Sequence, residues 1–310
     1  MKDESLALSS SPLPAMFAKN LYERMLLTRL VDEHACQLQD DEYTTTCTSC
    51  RGSEAAQIGS AVCIEVGQDF TLPSSRDLGV VLAIGMTPYE VFRTYLDRET
   101  VSGTLQQAHW SYHKHNTVTG PTPVATQILH AAGIAFASKL RKAHAVTIAY
   151  CSNDVVVEPD FLEGIRFSAH HNLPILFICE HTCQDTLSNM TSCLDEKLLP
   201  ENLTHHAISG VDVTQVYTTM QHAMHHAREG QGAVLLEIFV SQPPFSQFSD
   251  NQDPLLHCKQ LLQVQGTWGE EWATQLQSRL RIEVEQALRD AVQDAQESNG
   301  KGHISSSRIS

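Results

Sequence analysis

Apolar residues recur every three or four positions in "LYERMLLTRLVDEHACQLQ" (21–39), the spacing of an amphipathic helix. "EAAQIGSAVCIEV" (54–66) and "DLGVVLAIGMTPYEVFRTYL" (77–96) keep that period between breaks at Gly and Pro, and predict further helices. Residues 98–123 are polar, aromatic and punctuated by Gly and Pro, the composition of a long loop. The pattern then alternates. Helical "ATQILHAAGIAFASKL" leads to the apolar run "AVTIAY", helical "DFLEGIRFSAHH" to "PILFICE", and helical "VTQVYTTMQHAMHHAREG" to "GAVLLEIFV". Short apolar strands separated by helices predict an α/β fold, a parallel sheet with helices on both faces. "GEEWATQLQSRLRIEVEQALRDAVQDAQ" (269–296) predicts a long charged helix. The expected organisation is a disordered tail over 1–15, one body over 16–266, a C-terminal helix over 267–297 and a frayed end over 298–310.

Composition narrows the classes. A chain of 310 residues, 42% hydrophobic, can bury a full core. A net charge of -15 argues against a general affinity for nucleic acid or anionic membrane. No apolar run approaches the roughly 20 residues that span a bilayer. The start, "MKDESLALSSSPLPAMF", has no basic region feeding an apolar stretch, so no secretory signal is visible. Nine cysteines, an odd number, favour reduced thiols in a cytoplasm over a disulfide framework.

Ligands of parallel sheets sit beyond the carboxyl ends of the strands. Three loops qualify: 151–160, 180–189 and 241–251. Asn153, Asp154, Glu158 and Asp160 crowd the first; Glu180, His181, Thr182, Gln184 and Asp185 crowd the second. Such oxygen-bearing loops suit a hard divalent cation, and polar residues also simply fill loops.

The blocks "LYERMLLTRLVDEHACQLQ", "RGSEAAQIGSA", "SSRDLGVVLAIGMTPYEVF", "HWS", "PVATQILHAAGIAFASK", "EPDFLEGIRFSA" and "PILFICE" carry more than periodicity. In order and spacing they resemble the alpha subunit of thiamine-diphosphate-dependent 2-oxo acid dehydrogenases, the branched-chain (2-oxoisovalerate) type first and the pyruvate type next. The resemblance covers roughly residues 16–290. It implies a thiamine-diphosphate-binding fold, a two-alpha, two-beta assembly with a beta-type subunit, and thiamine diphosphate with Mg²⁺ at the interface. It also implies oxidative decarboxylation of a 2-oxo acid, with acyl transfer to a lipoyl acyltransferase.

The departures fall where the chemistry is. The family loop G-D-G-x-x-x-E-G-D-F reads here as Ser152-Asn153-Asp154, with Pro159 for the next glycine and Arg166 for a later asparagine; Glu158, Asp160, Phe161 and Glu163 remain. Asn153 offers the metal a neutral carbonyl where the family has a carboxylate, and Asp154 carries an acid one position along. Thr182 stands at a side-chain metal ligand and Gln184 at one that lends a backbone carbonyl. Ser75-Arg76 replaces a Tyr-Arg pair that holds the diphosphate, and Val124, Ser152 and Glu180 fall at other cofactor contacts. Thr122, Pro123, Thr126 and Gln127 match a structural K⁺ segment. After "VLLEIFV" the family has a catalytic histidine; this chain has Gln242-Pro243-Pro244-Phe245-Ser246, and Phe245 cannot move a proton.

Outside those blocks, Cys47 and Cys50 form a lone CxxC without a second pair at zinc-site spacing. His222, His225 and His226 share one helix face, which either binds a transition metal or is simply solvated. Glu54 reads as packing at a helix start. The expected function is an alpha-type subunit with weakened turnover. The alternatives are a non-catalytic scaffold or regulator of a beta-type partner, and a ligand-binding module.

Overall fold

A computed structural model describes residues 13–40, 48–96, 110, 115–118, 125–183, 194–241 and 252–305, without the side chains of residues 39, 40, 183, 196 and 298–305. The elements run α1 (Ala15–Asp40), α2 (Glu54–Ala61), β1 (Phe70–Leu72), α3 (Leu78–Ala83), α4 (Pro88–Leu96), α5 (Thr126–Leu140), β2 (Thr147–Ser152), α6 (Pro159–His170), β3 (Ile175–Cys183), β4 (Thr204–Ser209), α7 (Val213–Arg228), β5 (Val234–Ser241), α8 (Pro254–Val264) and α9 (Glu270–Ser305). The sheet order is β1-β2-β3-β5-β4, and every pairing is parallel.

Strand alternation divides the core. Ile148, Tyr150, Leu176, Ile178, Leu236 and Ile238 project to one face, where they pack with Ala56, Val80, Val216 and Met220 of α2, α3 and α7. Ala149, Cys151, Phe177, Cys179 and Leu235 project to the other, against Ile128, Ala131, Phe161 and Ile165 of α5 and α6. The apolar stripe of α1 (Leu21, Met25) meets Phe92 of α4, Leu262 of α8 and Leu280 and Val284 of α9 in an outer cluster. Each such aliphatic side chain contributes about 1.5–3 kcal/mol when fully buried. The Asp212 side chain caps α7, accepting from the Thr214 amide at 2.8 Å, and Asp253 caps α8, accepting from the Leu255 amide at 2.9 Å.

Several expectations need correction. The segment 54–66 is not helical throughout: α2 ends at Ala61. The chain then turns, with Asp69 accepting from the Glu65 amide at 2.9 Å and Gly67 at a φ of +86°. Over 77–96 the expected break falls at Gly85 (φ +118°), which divides α3 from α4. β1, β4 and α8 lie outside the predicted elements. β1 is only three residues long, and β4, "THHAIS", puts two histidines on an edge strand where burial demands no apolar run. α9 continues past the expected 297 boundary to Ser305, since no proline interrupts the backbone ladder there. α1 starts at Ala15; residues 1–12 and 306–310, and most of the loop expected over 98–123, lie outside the described residues. Among the described residues no helix is long and apolar enough to cross a membrane.

Candidate functional site

The carboxyl ends of β1, β2 and β3 converge at one edge of the sheet. There Ser74, Arg76 and Asp77 follow β1, Cys151 and Ser152 close β2, Glu180 and Thr182 end β3, and Ser53 precedes α2. Together they enclose a cavity of about 10 Å³, room for about one water molecule. Of the residues singled out in the sequence, Arg76, Ser152, Glu180 and Thr182 line this one cavity. Ser75 is half-buried and does not line the cavity.

Glu180 dominates the electrostatics. Burial, and then the nearby Asp77, push its carboxyl up to about 8, while Gln57, Ser53 and Arg76 hold it back. The Gln57 amide donates to Glu180 Oε2 at 3.4 Å and to the Arg76 carbonyl at 3.1 Å, and its own oxygen accepts from the Gly79 amide at 2.8 Å. Glu180 Oε1 has no hydrogen-bond partner among the described residues. Burial likewise raises Asp77, to about 6, against the bonds it accepts from Ser74. Two buried carboxyls side by side resist being ionised together. The sequence reading missed Asp77, Gln57 and Ser53 because they come from three separate stretches, each unremarkable alone.

The loop after β2 is closed by its own side chains. Val155 and Val156 are buried in the α5–α6 layer, the Ser152 hydroxyl donates to Asp154, and Pro159 starts α6. Asn153 is half-buried and Asp154 exposed. Arg166 pairs with Glu163 of its own helix at 2.9 Å.

This donor set does not fit a magnesium ion. Ser152, Asn153 and Thr182 offer neutral oxygens, burial pushes the Glu180 carboxyl up to about 8 and Asp77 to about 6, against the charged form a cation needs, and Asp154 faces solvent. A hard divalent cation binds most strongly where carboxylates supply the charge. Among the described residues no group of three or more His, Cys, Asp or Glu is placed to hold a metal. That result also answers the histidine face of α7: His222 and His225 are exposed, and His226 shares a hydrogen bond with Thr204 at 3.2 Å.

Of the expected K⁺ segment, Thr126 and Gln127 open α5 behind Ala125, which takes a left-handed φ of 69°. The Gln127 amide donates to the Tyr150 carbonyl at 2.6 Å, tying α5 to β2. Thr122, Pro123, Val124, Gln184, Phe245 and Cys47 lie outside the described residues. His181, grouped by sequence with Glu180, points to the opposite face of β3. There it pairs with Glu237 at 2.7 Å and stacks on Phe239, and Glu237 also meets His205 at 2.6 Å. A lone acid in the apolar run "GAVLLEIFV" was the available signal for that buried cluster.

Residues 22–242 match the Dehydrogenase E1 component family. The chain is 33% identical to the 2-oxoisovalerate dehydrogenase subunit alpha of Bacillus subtilis, over 71% of this chain and 69% of the relative. It is 30% identical to the 3-methyl-2-oxobutanoate dehydrogenase subunit alpha of Mycobacterium tuberculosis, over 91% and 80% respectively. It is 25% identical to the pyruvate dehydrogenase E1 component subunit alpha of Staphylococcus aureus, over 87% and 77%. The parallel sheet, the strand-end site and these matches agree: the chain belongs to the Dehydrogenase E1 component family, among its alpha subunits.

Proposed function

We propose that the chain is an alpha-type subunit of a branched-chain 2-oxo acid dehydrogenase whose pairing with a beta-type subunit outlasts its share in oxidative decarboxylation. The relatives named for 2-oxoisovalerate and 3-methyl-2-oxobutanoate support the substrate class. The observation that carries the weakened chemistry is the donor set at the strand ends, with neutral oxygens at Asn153 and Thr182 and the buried Glu180 beside them. Thiamine diphosphate is the cofactor of this family. In this chain Arg76 is the cation left to meet its diphosphate, and Phe245 takes the place of a proton-transferring histidine. The assignment of K⁺ to the segment of Thr122, Pro123, Thr126 and Gln127 belongs to the same proposal, as does a cytoplasmic location.

The second reading, a non-catalytic partner that scaffolds or regulates a beta-type subunit, rests on the joint change at Asn153, Thr182 and Phe245. One reconstitution separates the two. The chain is co-expressed with a beta-type subunit and supplied with 2-oxoisovalerate and a lipoyl acyltransferase. Slow acylation of the lipoyl group supports the first reading. A stable complex without turnover supports the second, and a chain that stays monomeric by light scattering contradicts both.

A further inference from the structure

Cys151 and Cys179 are direct register partners on the adjacent parallel strands β2 and β3. Neighbouring strands run about 4.8 Å apart, within the span that a disulfide bridges between Cα atoms. Both side chains project into the layer covered by α5 and α6, and their sulfurs lie 2.8 Å apart as free thiols. Each sulfur needs to move by less than an ångström to reach bonding distance. Both are buried, with Cys151 2% and Cys179 0% exposed, and Cys151 is also among the residues that border the strand-end cavity.

We infer that this pair is a peroxide-responsive dithiol that closes to a disulfide and locks the ends of β2 and β3 to each other. Hydrogen peroxide is the oxidant. The Cys151 sulfur attacks one peroxide oxygen and the O–O bond breaks; Cys151 becomes a sulfenic acid, and its thiol proton leaves with the other oxygen as water. The Cys179 sulfur then attacks the Cys151 sulfur. An S–S bond forms, the S–O bond breaks, and the departing hydroxide takes the Cys179 proton as a second water. The sulfurs lose two electrons in all, which the peroxide gains. Burial holds the Cys179 thiol well above its ordinary pKa, and the contact with Cys151 and the charge of Glu237 act in the same direction. Cys179 is therefore the poorer first nucleophile of the two and acts as the resolving thiol.

The crosslink falls one residue before Ser152 and one before Glu180, so it fixes the two loops of the strand-end site against each other. The inference does not depend on whether the site holds thiamine diphosphate, and its test uses the whole chain without partner or cofactor. The reduced protein is treated with hydrogen peroxide, its free thiols are alkylated, and the unreduced digest is analysed by mass spectrometry. The expected result is a linked Cys151–Cys179 peptide pair that disappears on reduction with dithiothreitol. An upward shift of several degrees in the melting temperature of the oxidised chain accompanies it. In Cys179→Ser, which cannot close the bond, Cys151 should be trapped by dimedone as the sulfenic acid. Half-buried Cys36 and Cys63 serve as internal controls for oxidant strength. Recovery of Cys151 and Cys179 as free thiols once Cys36 is oxidised would overturn the inference. So would linkage of Cys179 to any other cysteine.

Discussion

Glu180 sets the character of the site through the proton that burial obliges it to keep. Its folded pKa of about 8 lies above the ordinary 4.5. The folded chain therefore holds a proton that the unfolded chain releases. Stability from this group is fully present below about pH 4.5 and is lost as pH rises toward 8. Glu180→Gln removes that loss. Chemical denaturation at pH 5 and pH 8 should show the variant gaining about 1–3 kcal/mol on the wild type between the two. An unchanged difference would place the proton elsewhere. The same residue scale argues a repair. Asn153→Asp returns an anionic oxygen, Asp154→Gly releases the Ser152 hydroxyl from its bond and clears space, and Thr182→Asn returns an amide oxygen. Together they should raise Mg²⁺–thiamine diphosphate affinity by at least about tenfold, or roughly 1.4 kcal/mol. The three changes should not restore dehydrogenase turnover while Phe245 holds the histidine position. No gain in affinity, in a triple variant that still melts cooperatively, would mean the loop has been rebuilt for another purpose.

At the scale of elements, one buried cluster joins three helices. The Arg29 guanidinium of α1 donates to Glu54 at the start of α2, and to Asp253, the cap of α8, at 3.1 Å. Glu54 also accepts from the Gly52 amide at 2.8 Å. Burial raises the Glu54 carboxyl and Arg29 pulls it back, so removing the cation leaves a buried acid without its charge partner. Arg29→Leu should cost about 3–5 kcal/mol, measured as a lower urea midpoint with an unchanged slope. The sequence pointed to Glu54 as a helix start and could not show its partners, which lie 25 residues before it and, through Arg29, 224 residues further on. Local pattern located the elements whose faces are buried: α5, β2, α6, β3, α7 and β5 all follow their periodicity. It failed where burial is slight or the element short, as in β1 and the histidine-bearing edge strand β4. The site divides the same way. Strand-end loops named Ser152, Glu180 and Thr182 and the family resemblance named Arg76, whereas Asp77, Gln57 and Ser53 join them only through the topology of the sheet. Alternation along β3, not proximity in sequence, separates His181 from Glu180.

For the molecule as a whole, three apolar clusters carry the fold, and the departures read from the sequence fall mainly in loops beyond the strand ends. A scaffold of this kind persists without its chemistry, because the residues that bury area are not those that would hold a metal. On this reading the strand-end site holds Mg²⁺–thiamine diphosphate only poorly. Calorimetric titration of the cofactor, with Mg²⁺, into the chain assembled with a beta-type subunit tests it most directly. The account predicts no saturable binding at micromolar cofactor; a sub-micromolar dissociation constant would contradict it.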